Sequence, residues 1–198
     1  VLSHRDGLVI VAGSTHPGEE EIVLDAYAGV LSAGTTPRLI IAVRHLERIP
    51  SIEKLIRQKG FKPVRLSTYQ GTLASDGAVF ILDTLGELRY FYSVADICFV
   101  GGSFAECGGH NILEPVYFSK PTLFGPHMEN FRDVEELVLG HRCGVKVRTP
   151  AELAAELRKL VHDEGYRQQL ARRCPMVFRE ERKSVEEQME MITRCLLK

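Results

Sequence analysis

The stretch Ile97-Cys98-Phe99-Val100-Gly101-Gly102-Ser103-Phe104-Ala105-Glu106-Cys107-Gly108-Gly109-His110-Asn111-Ile112-Leu113-Glu114-Pro115 decides how the chain is read. Its first four residues are apolar without alternation, as in a strand covered on both faces. Two Gly-Gly pairs bracket the following loop, and a helix is expected to open near Asn111. Strand, glycine loop and helix in that order place a ligand site beyond the carboxyl end of a parallel strand. Glycine lets backbone N–H groups approach an anion, and a helix N-terminus adds free N–H groups and a positive dipole end. The loop fits neither the G-x-G-x-x-G nor the G-x-x-x-x-G-K-[ST] pattern, so neither dinucleotide nor P-loop binding is indicated.

Outward from this stretch, further apolar runs read as strands: Leu8–Ala12, Leu39–Val43, Val64–Leu66, Ala78–Leu82, Thr122–Phe124 and Val145–Val147. Helical patterns separate them. Ile22, Ala26 and Val30 share one face, as do Val134, Leu137 and Val138, and Leu153, Leu157, Leu160 and Val161 keep the i, i+4, i+7, i+8 rhythm. Thr149-Pro150-Ala151-Glu152 reads as a helix start, with Thr149 as cap and Glu152 completing a capping box. The alternation implies an α/β fold, a doubly wound parallel sheet with helices on both faces, over residues 1–162. Residues 163–198 carry helical patterns without strands and read as a C-terminal helical extension. Within it Val185, Met189, Ile192 and Leu196 form an apolar stripe, to be packed on the same domain or against a partner domain.

Bulk properties narrow the function. With 198 residues the chain suits one domain, and 44% hydrophobic and 26% charged residues suit an ordinary water-soluble core. A formal net charge of −1 gives no field to attract nucleic acid or an anionic membrane. The five cysteines are odd in number and contain no C-x-x-C pair, which argues against a disulfide framework or zinc site and for a reducing compartment. No apolar run reaches the roughly 20 residues that span a bilayer. No metal-ligand spacing or Gly-x-Ser-x-Gly elbow occurs. The strand-like run that begins almost at Val1 suggests a chain trimmed at its N-terminus.

Residues that follow the strands are the candidates for the site. After the first strand Ser14, Thr15 and His16 offer short donors, while Glu19, Glu20 and Glu21 suit a helix first turn. Arg44 follows the second strand and can present a planar fork to phosphate or base; a salt bridge with Glu47 is its other reading. Asn111 reads either as a ligand contact or as an N-cap, with Glu114 as its capping-box partner, although Pro115 disfavours that geometry at Glu114. A carboxylate at Glu114 can accept two hydrogen bonds from ribose hydroxyls. His110 either donates to phosphate or satisfies the loop backbone. Gly125-Pro126-His127 forms another crevice turn, and Asp83 to Leu88 reads as a plain turn and helix cap.

These segments together resemble the C-terminal half of the bacterial 3-deoxy-D-manno-octulosonic acid (Kdo) transferases. The resemblance rests on Gly101-Gly102-Ser103, Gly108-Gly109-His110-Asn111, Leu113-Glu114-Pro115, Gly125-Pro126-His127 and Asn130-Phe131, and covers nearly the whole chain. Ser14-Thr15-His16, Gly18-Glu19-Glu20, Arg44-His45, Glu47-Arg48, Asp83-Thr84 and Gly86-Glu87-Leu88 follow the same order. Departures are Val43 for a usual proline, Leu82 for a usual glycine, and Glu106 where a basic residue is common.

The resemblance implies the donor-binding domain of a two-domain (GT-B) glycosyltransferase of lipopolysaccharide biosynthesis. It implies CMP-Kdo as donor, inversion at the anomeric centre, and no metal or other cofactor. Arg44, Asn111 and Glu114 would hold the CMP moiety, and Ser103, Gly109 and His110 fall on the phosphate loop. Ser14, His16, Gly125 and Pro126 complete the expected donor-binding set. The N-terminal acceptor domain, with the lipid A precursor site, the general base and the membrane anchor, is expected to be absent. The parent enzyme would work at the cytoplasmic face of the inner membrane, and this chain alone would be inactive. Two other readings remain open: the donor domain of a GT-B enzyme using a UDP-sugar, and a non-catalytic module that binds an anion or a protein partner.

Overall fold

A computed structural model describes residues 7–71 and 77–179. The strands are β1 (Val9–Thr15), β2 (Arg38–Val43), β3 (Lys62–Arg65), β4 (Ala78–Ile81), β5 (Ile97–Val100), β6 (Thr122–Phe124) and β7 (Gly144–Lys146). The helices are α1 (Glu19–Leu31), α2 (Ile49–Gln58), α3 (Leu88–Val94), α4 (Leu113–Tyr117), α5 (Arg132–Gly140) and α6 (Pro150–His162). Residues 164–179 form a further helix, α7. The apolar stripe expected at Val185, Met189, Ile192 and Leu196 lies outside the described residues.

The strands form one seven-stranded sheet in the order β3-β4-β2-β1-β5-β6-β7, and every pairing is parallel. The continuous apolar runs follow from this arrangement, because each strand feeds two cores at once. Ile10, Ala12, Leu39, Ile41, Val79, Ile81, Ile97 and Phe99 point to the layer of α1, α2 and α6. Their neighbours Val9, Val11, Ile40, Ala42, Phe80, Cys98 and Val100 point to the layer of α3, α4 and α5. The period-2 alternation is present but hidden, since both faces are apolar.

The strand boundaries agree with the sequence reading to within a few residues, and β5 and β6 agree residue for residue. The face of α1 is wider than Ile22, Ala26 and Val30 suggest: Val23, Leu24 and Tyr27 are buried too, and Tyr27 Oη donates to the Pro37 carbonyl at 2.8 Å. Thr149 caps α6 as expected, its Oγ1 accepting from Glu152 N at 3.1 Å. The capping box is shifted, because Glu152 Oε2 accepts from Arg148 N rather than from Thr149 N. α7 is more than an appendage. Leu170 joins the first core layer while Cys174 and Val177 join the second. Between them α7 passes Asp96, Lys120 and Pro121 at the amino ends of β5 and β6.

β1 lies at the switch point. From it the chain winds outward one way through β2, β4 and β3, and the other way through β5, β6 and β7. At such a reversal the loops after two neighbouring strands part and leave a crevice beyond their carboxyl ends. The loops after β1 and β5, which carry most of the candidate residues, meet there.

Candidate donor site at the switch point

Glu19 lies in the glycine loop. It is 1% exposed, and its two carboxylate oxygens accept from the backbone N–H groups of Gly102 (2.7 Å), Ser103 (2.9 Å), Phe104 (2.8 Å) and Ala105 (3.3 Å). A further bond comes from His16 N at 2.8 Å. The loop is thus an anion cradle, as the glycines suggest, but its anion belongs to the protein. Gly101 has no room for a side chain, since a Cβ there would lie 2.6 Å from both Glu19 Oε2 and the Ser14 carbonyl. The acidic run after β1 reads in sequence as a favourable first helical turn; the structure gives two of its members buried partners. Glu20, also 1% exposed, forms a two-pronged bond with Arg48 at 2.8 and 2.9 Å.

Three of the expected residues have their partners within the loop itself. Ser103 is fully buried; its hydroxyl donates to the Val100 carbonyl at 2.6 Å and accepts from Gly125 N at 2.8 Å. Gly109 N donates to the Gly102 carbonyl at 2.8 Å and so closes the loop on itself. Gly125 is buried against Ser103, where a Cβ would lie 2.3 Å from the Ser103 carbonyl oxygen. All three build the loop rather than present donors to a ligand. Pro126, half-buried, continues that turn.

The other candidates reach the crevice. β1 ends in a register shift between Gly13 and Thr15, with Ser14 at φ 55°. His16 follows directly, and its Nε2 lies 2.9 Å from His110 Nε2, with the two rings stacked at 5.1 Å. His16 Nδ1 lies 3.5 Å from Cys107 Sγ, and the His45 ring meets His16 edge-on at 5.7 Å. Burial pushes the pKa of both His16 and His110 below the usual imidazole value, with added repulsion from neighbouring cationic groups.

Arg44 is exposed and lines a small cleft of about 100 Å³ with Ser14, Val43 and Thr84. Its expected partner Glu47 lies instead 3.7 Å from His45 Nδ1. Arg44 acts electrostatically on both His110 and Glu114.

Asn111 and Glu114 line a second cleft, of about 440 Å³, with Arg89, Tyr117, Phe118 and Phe178. Asn111 Oδ1 accepts from Leu113 N at 3.0 Å in a turn just ahead of α4, whose N-cap is Ile112, and its side-chain amide remains for a ligand. Glu114 stands at the cleft mouth. Desolvation by the surrounding walls raises its pKa, and the guanidiniums of Arg89 and Arg44 oppose that rise. Arg89 lies 5.7 Å from the ring centres of both Tyr117 and Phe118. Neither Arg89 nor Phe178 stands out in sequence, because one sits on α3 and the other on α7, far from the strand ends. Glu106 lies on a third, open cleft with Cys107, His127 and Asn130.

Among the described residues no group of three or more His, Cys, Asp or Glu side chains is arranged to hold a metal ion. Among them, too, no helix is long and apolar enough to cross a membrane.

No family model matches the chain. The 3-deoxy-D-manno-octulosonic acid transferase of Aquifex aeolicus is 35% identical over 155 residues, covering 78% of this chain and 42% of that protein. The enzyme of the same name from Haemophilus influenzae is 31% identical over 193 residues, covering 96% of this chain and 45% of that protein. This chain therefore spans less than half the length of these curated relatives. Among solved structures, the C-terminal CMP-Kdo binding domain of WaaA from Acinetobacter baumannii superposes with a TM-score of 0.81 at 28% identity, covering 88% of this chain and 90% of that one. Sequence and fold agree: the chain belongs to the 3-deoxy-D-manno-octulosonic acid transferase family, as its C-terminal GT-B domain.

Proposed function

We propose that this chain binds CMP-Kdo and forms the donor half of an enzyme that transfers Kdo to a lipid A precursor. The observation that carries the reading is the 440 Å³ cleft in which Glu114 and Asn111 face aromatic walls beside Arg89, within electrostatic reach of Arg44. A nucleoside asks for this combination. A carboxylate accepts the two ribose hydroxyls, an aromatic wall covers the base, and guanidiniums meet the phosphate. The similarity to a domain described as CMP-Kdo binding supports cytidine over other bases.

In the proposed reaction the bond between the anomeric carbon and the phosphate oxygen breaks, and negative charge grows on cytidylate. Arg44, His16 and His110 are assigned to that charge, and stabilising it lowers the barrier to transfer. No metal is required in this scheme. The acceptor, the general base and any contact with the cytoplasmic face of the inner membrane are assigned to the other half of the enzyme. This chain alone is therefore proposed to lack transferase activity; turnover of CMP-Kdo with a lipid A precursor by the isolated chain would overturn that.

The first test is a calorimetric titration with CMP, with UMP as control. Selective CMP binding, weakened about tenfold or more by Glu114→Ala and by Arg44→Ala, is expected; losing one hydrogen bond to a charged group costs about 1.5–3 kcal/mol. Equal binding of UMP would reject the cytidine assignment, and no binding of either would reject the nucleotide site.

A further inference from the structure

The sequence offers the amides of the glycine loop to a phosphate, but Glu19 already holds four of them. An anion at the switch point must then find other donors. The nearest polar pair is His16 and His110, half-buried side chains whose Nε2 atoms face each other at 2.9 Å. That separation requires one proton between two nitrogens: one Nε2 donates and the other offers its lone pair. The second contact of His16, with Cys107 Sγ at 3.5 Å, is compatible with either direction.

The geometry points to His16 and His110 as an anion subsite that takes up one proton from solvent when the phosphate of a nucleotide binds. The inference rests on the donor-site reading for the identity of the nucleotide, though not for the anion. A phosphate oxygen set against both Nε2 atoms needs two N–H donors, whereas the resting pair supplies one. A tautomer shift of the second ring would supply that donor with no proton from solvent; protonating the ring supplies the donor and also adds a charge opposite to the ligand's, and that charge favours uptake. Without an anion, burial and mutual repulsion keep the second proton away.

The groups facing the pair favour the same outcome. Glu19, its carboxylate held by backbone amides, favours the protonated form of both histidines. Glu20 is paired with Arg48. His45 and Arg44 add positive character from the loop after β2, and Cys107 is the thiol beside His16. The free pair has a pKa below the ordinary value of 6.5, and a bound anion, by favouring the charged form, raises it. Anion affinity is then greatest at low pH and falls as pH rises between those two values, by up to about tenfold per pH unit for one linked proton.

The test is calorimetry on the full chain at pH 7.5 in buffers of different ionisation enthalpy, with CMP and sodium sulfate as separate probes. Sulfate has no group titrating in this range, whereas the CMP phosphate titrates near pH 6. Nitrogen chemical shifts of the histidine rings, recorded before and after each ligand, read the protonation state directly. The expected result is uptake approaching one proton with both probes, one ring of the pair becoming doubly protonated, and loss of both signals in His16→Gln and in His110→Gln. If CMP binds without uptake, or uptake persists in both variants, the inference fails and the donor-site reading stands. If CMP does not bind but sulfate drives uptake that the variants abolish, the subsite stands and the nucleotide reading fails. Uptake with neither probe overturns the inference.

Discussion

At the scale of single residues, Glu19 is the clearest case of chemistry that the sequence shows only in part. The pattern of glycines after β5 correctly marks a concave array of N–H groups. It does not reveal that an acid more than eighty positions earlier fills the array, because that contact depends on β1 and β5 being neighbours. A run of three acids at a helix start is ordinary, and exposure separates them only in three dimensions: Glu19 and Glu20 are buried, while Glu21 reaches Lys59 near the surface at 2.9 Å. Glu19→Gln replaces an acceptor-only group by one whose amide N–H₂ must face other N–H groups. It is expected to cost about 3 kcal/mol of stability, since buried donors are left unmatched. Urea denaturation measures the cost, and a variant within 0.5 kcal/mol, about the noise of such a series, would show that the loop holds its shape without the carboxylate. Glu114 yields a different signal. Its pKa is raised by desolvation, and hydrogen bonds from a ribose would favour the ionised form. CMP affinity through this residue should therefore be complete at neutral pH and decline as pH falls, starting above the range of an ordinary carboxylate. In Glu114→Gln the part of that decline due to the carboxylate should vanish, leaving the titration of the CMP phosphate near pH 6 and the opposite trend of the histidine pair; the difference between the two proteins from pH 5 to 8 isolates Glu114.

At the scale of elements, what was legible depended on whether an element is specified locally. Strands β5 and β6 were readable because short unbroken apolar runs bounded by Gly, Pro or Asp have few other uses in a chain of this composition. β3 was less so, because Lys62-Pro63-Val64-Arg65 is a half-exposed edge strand with one apolar position to mark it. Helix α4 is only five residues long and starts at Leu113, two positions after the expected opening, with Asn111 bonding ahead of it. By contrast α6 carries its own start signal, and the structure keeps it. Thr149→Ala removes one side-chain acceptor from the first turn of α6 and should lower stability by about 1 kcal/mol. Thr149 lines none of the clefts that hold the candidate residues, so CMP affinity should not change. A loss of affinity together with the loss of stability would mean that α6, through its packing on α1, helps to hold the loop that carries His16.

At the scale of the whole molecule, α7 decides whether the chain behaves as one folding unit. The sequence separates residues 163–198 from the α/β part because no strand interrupts them. In the structure the described part of that segment spans both cores, with Leu170 in one layer and Cys174 and Val177 in the other. It also delivers Phe178 to the wall of the cleft, 5.6 Å from Tyr117. A helix that contributes to both layers ties their stabilities together, since neither layer can open without exposing part of it. Leu170→Ala should therefore cost about 2–5 kcal/mol, and Val177→Ala less, each through lost packing and the cavity left behind. The decisive observable is the shape of the transition. Far-UV circular dichroism and tyrosine fluorescence should report one midpoint in the parent chain and one lower midpoint in each variant, as two-state unfolding requires. A variant that keeps the parent's midpoint but loses helical signal in an earlier step would make α7 a separately melting element. Phe178→Ala then distinguishes a fold role from a site role: it should weaken CMP binding several-fold with a smaller effect on the midpoint than Leu170→Ala, because Phe178 is only partly buried and its ring faces the cleft. Unchanged affinity in that variant would confine the function of α7 to holding the two layers of the sheet together.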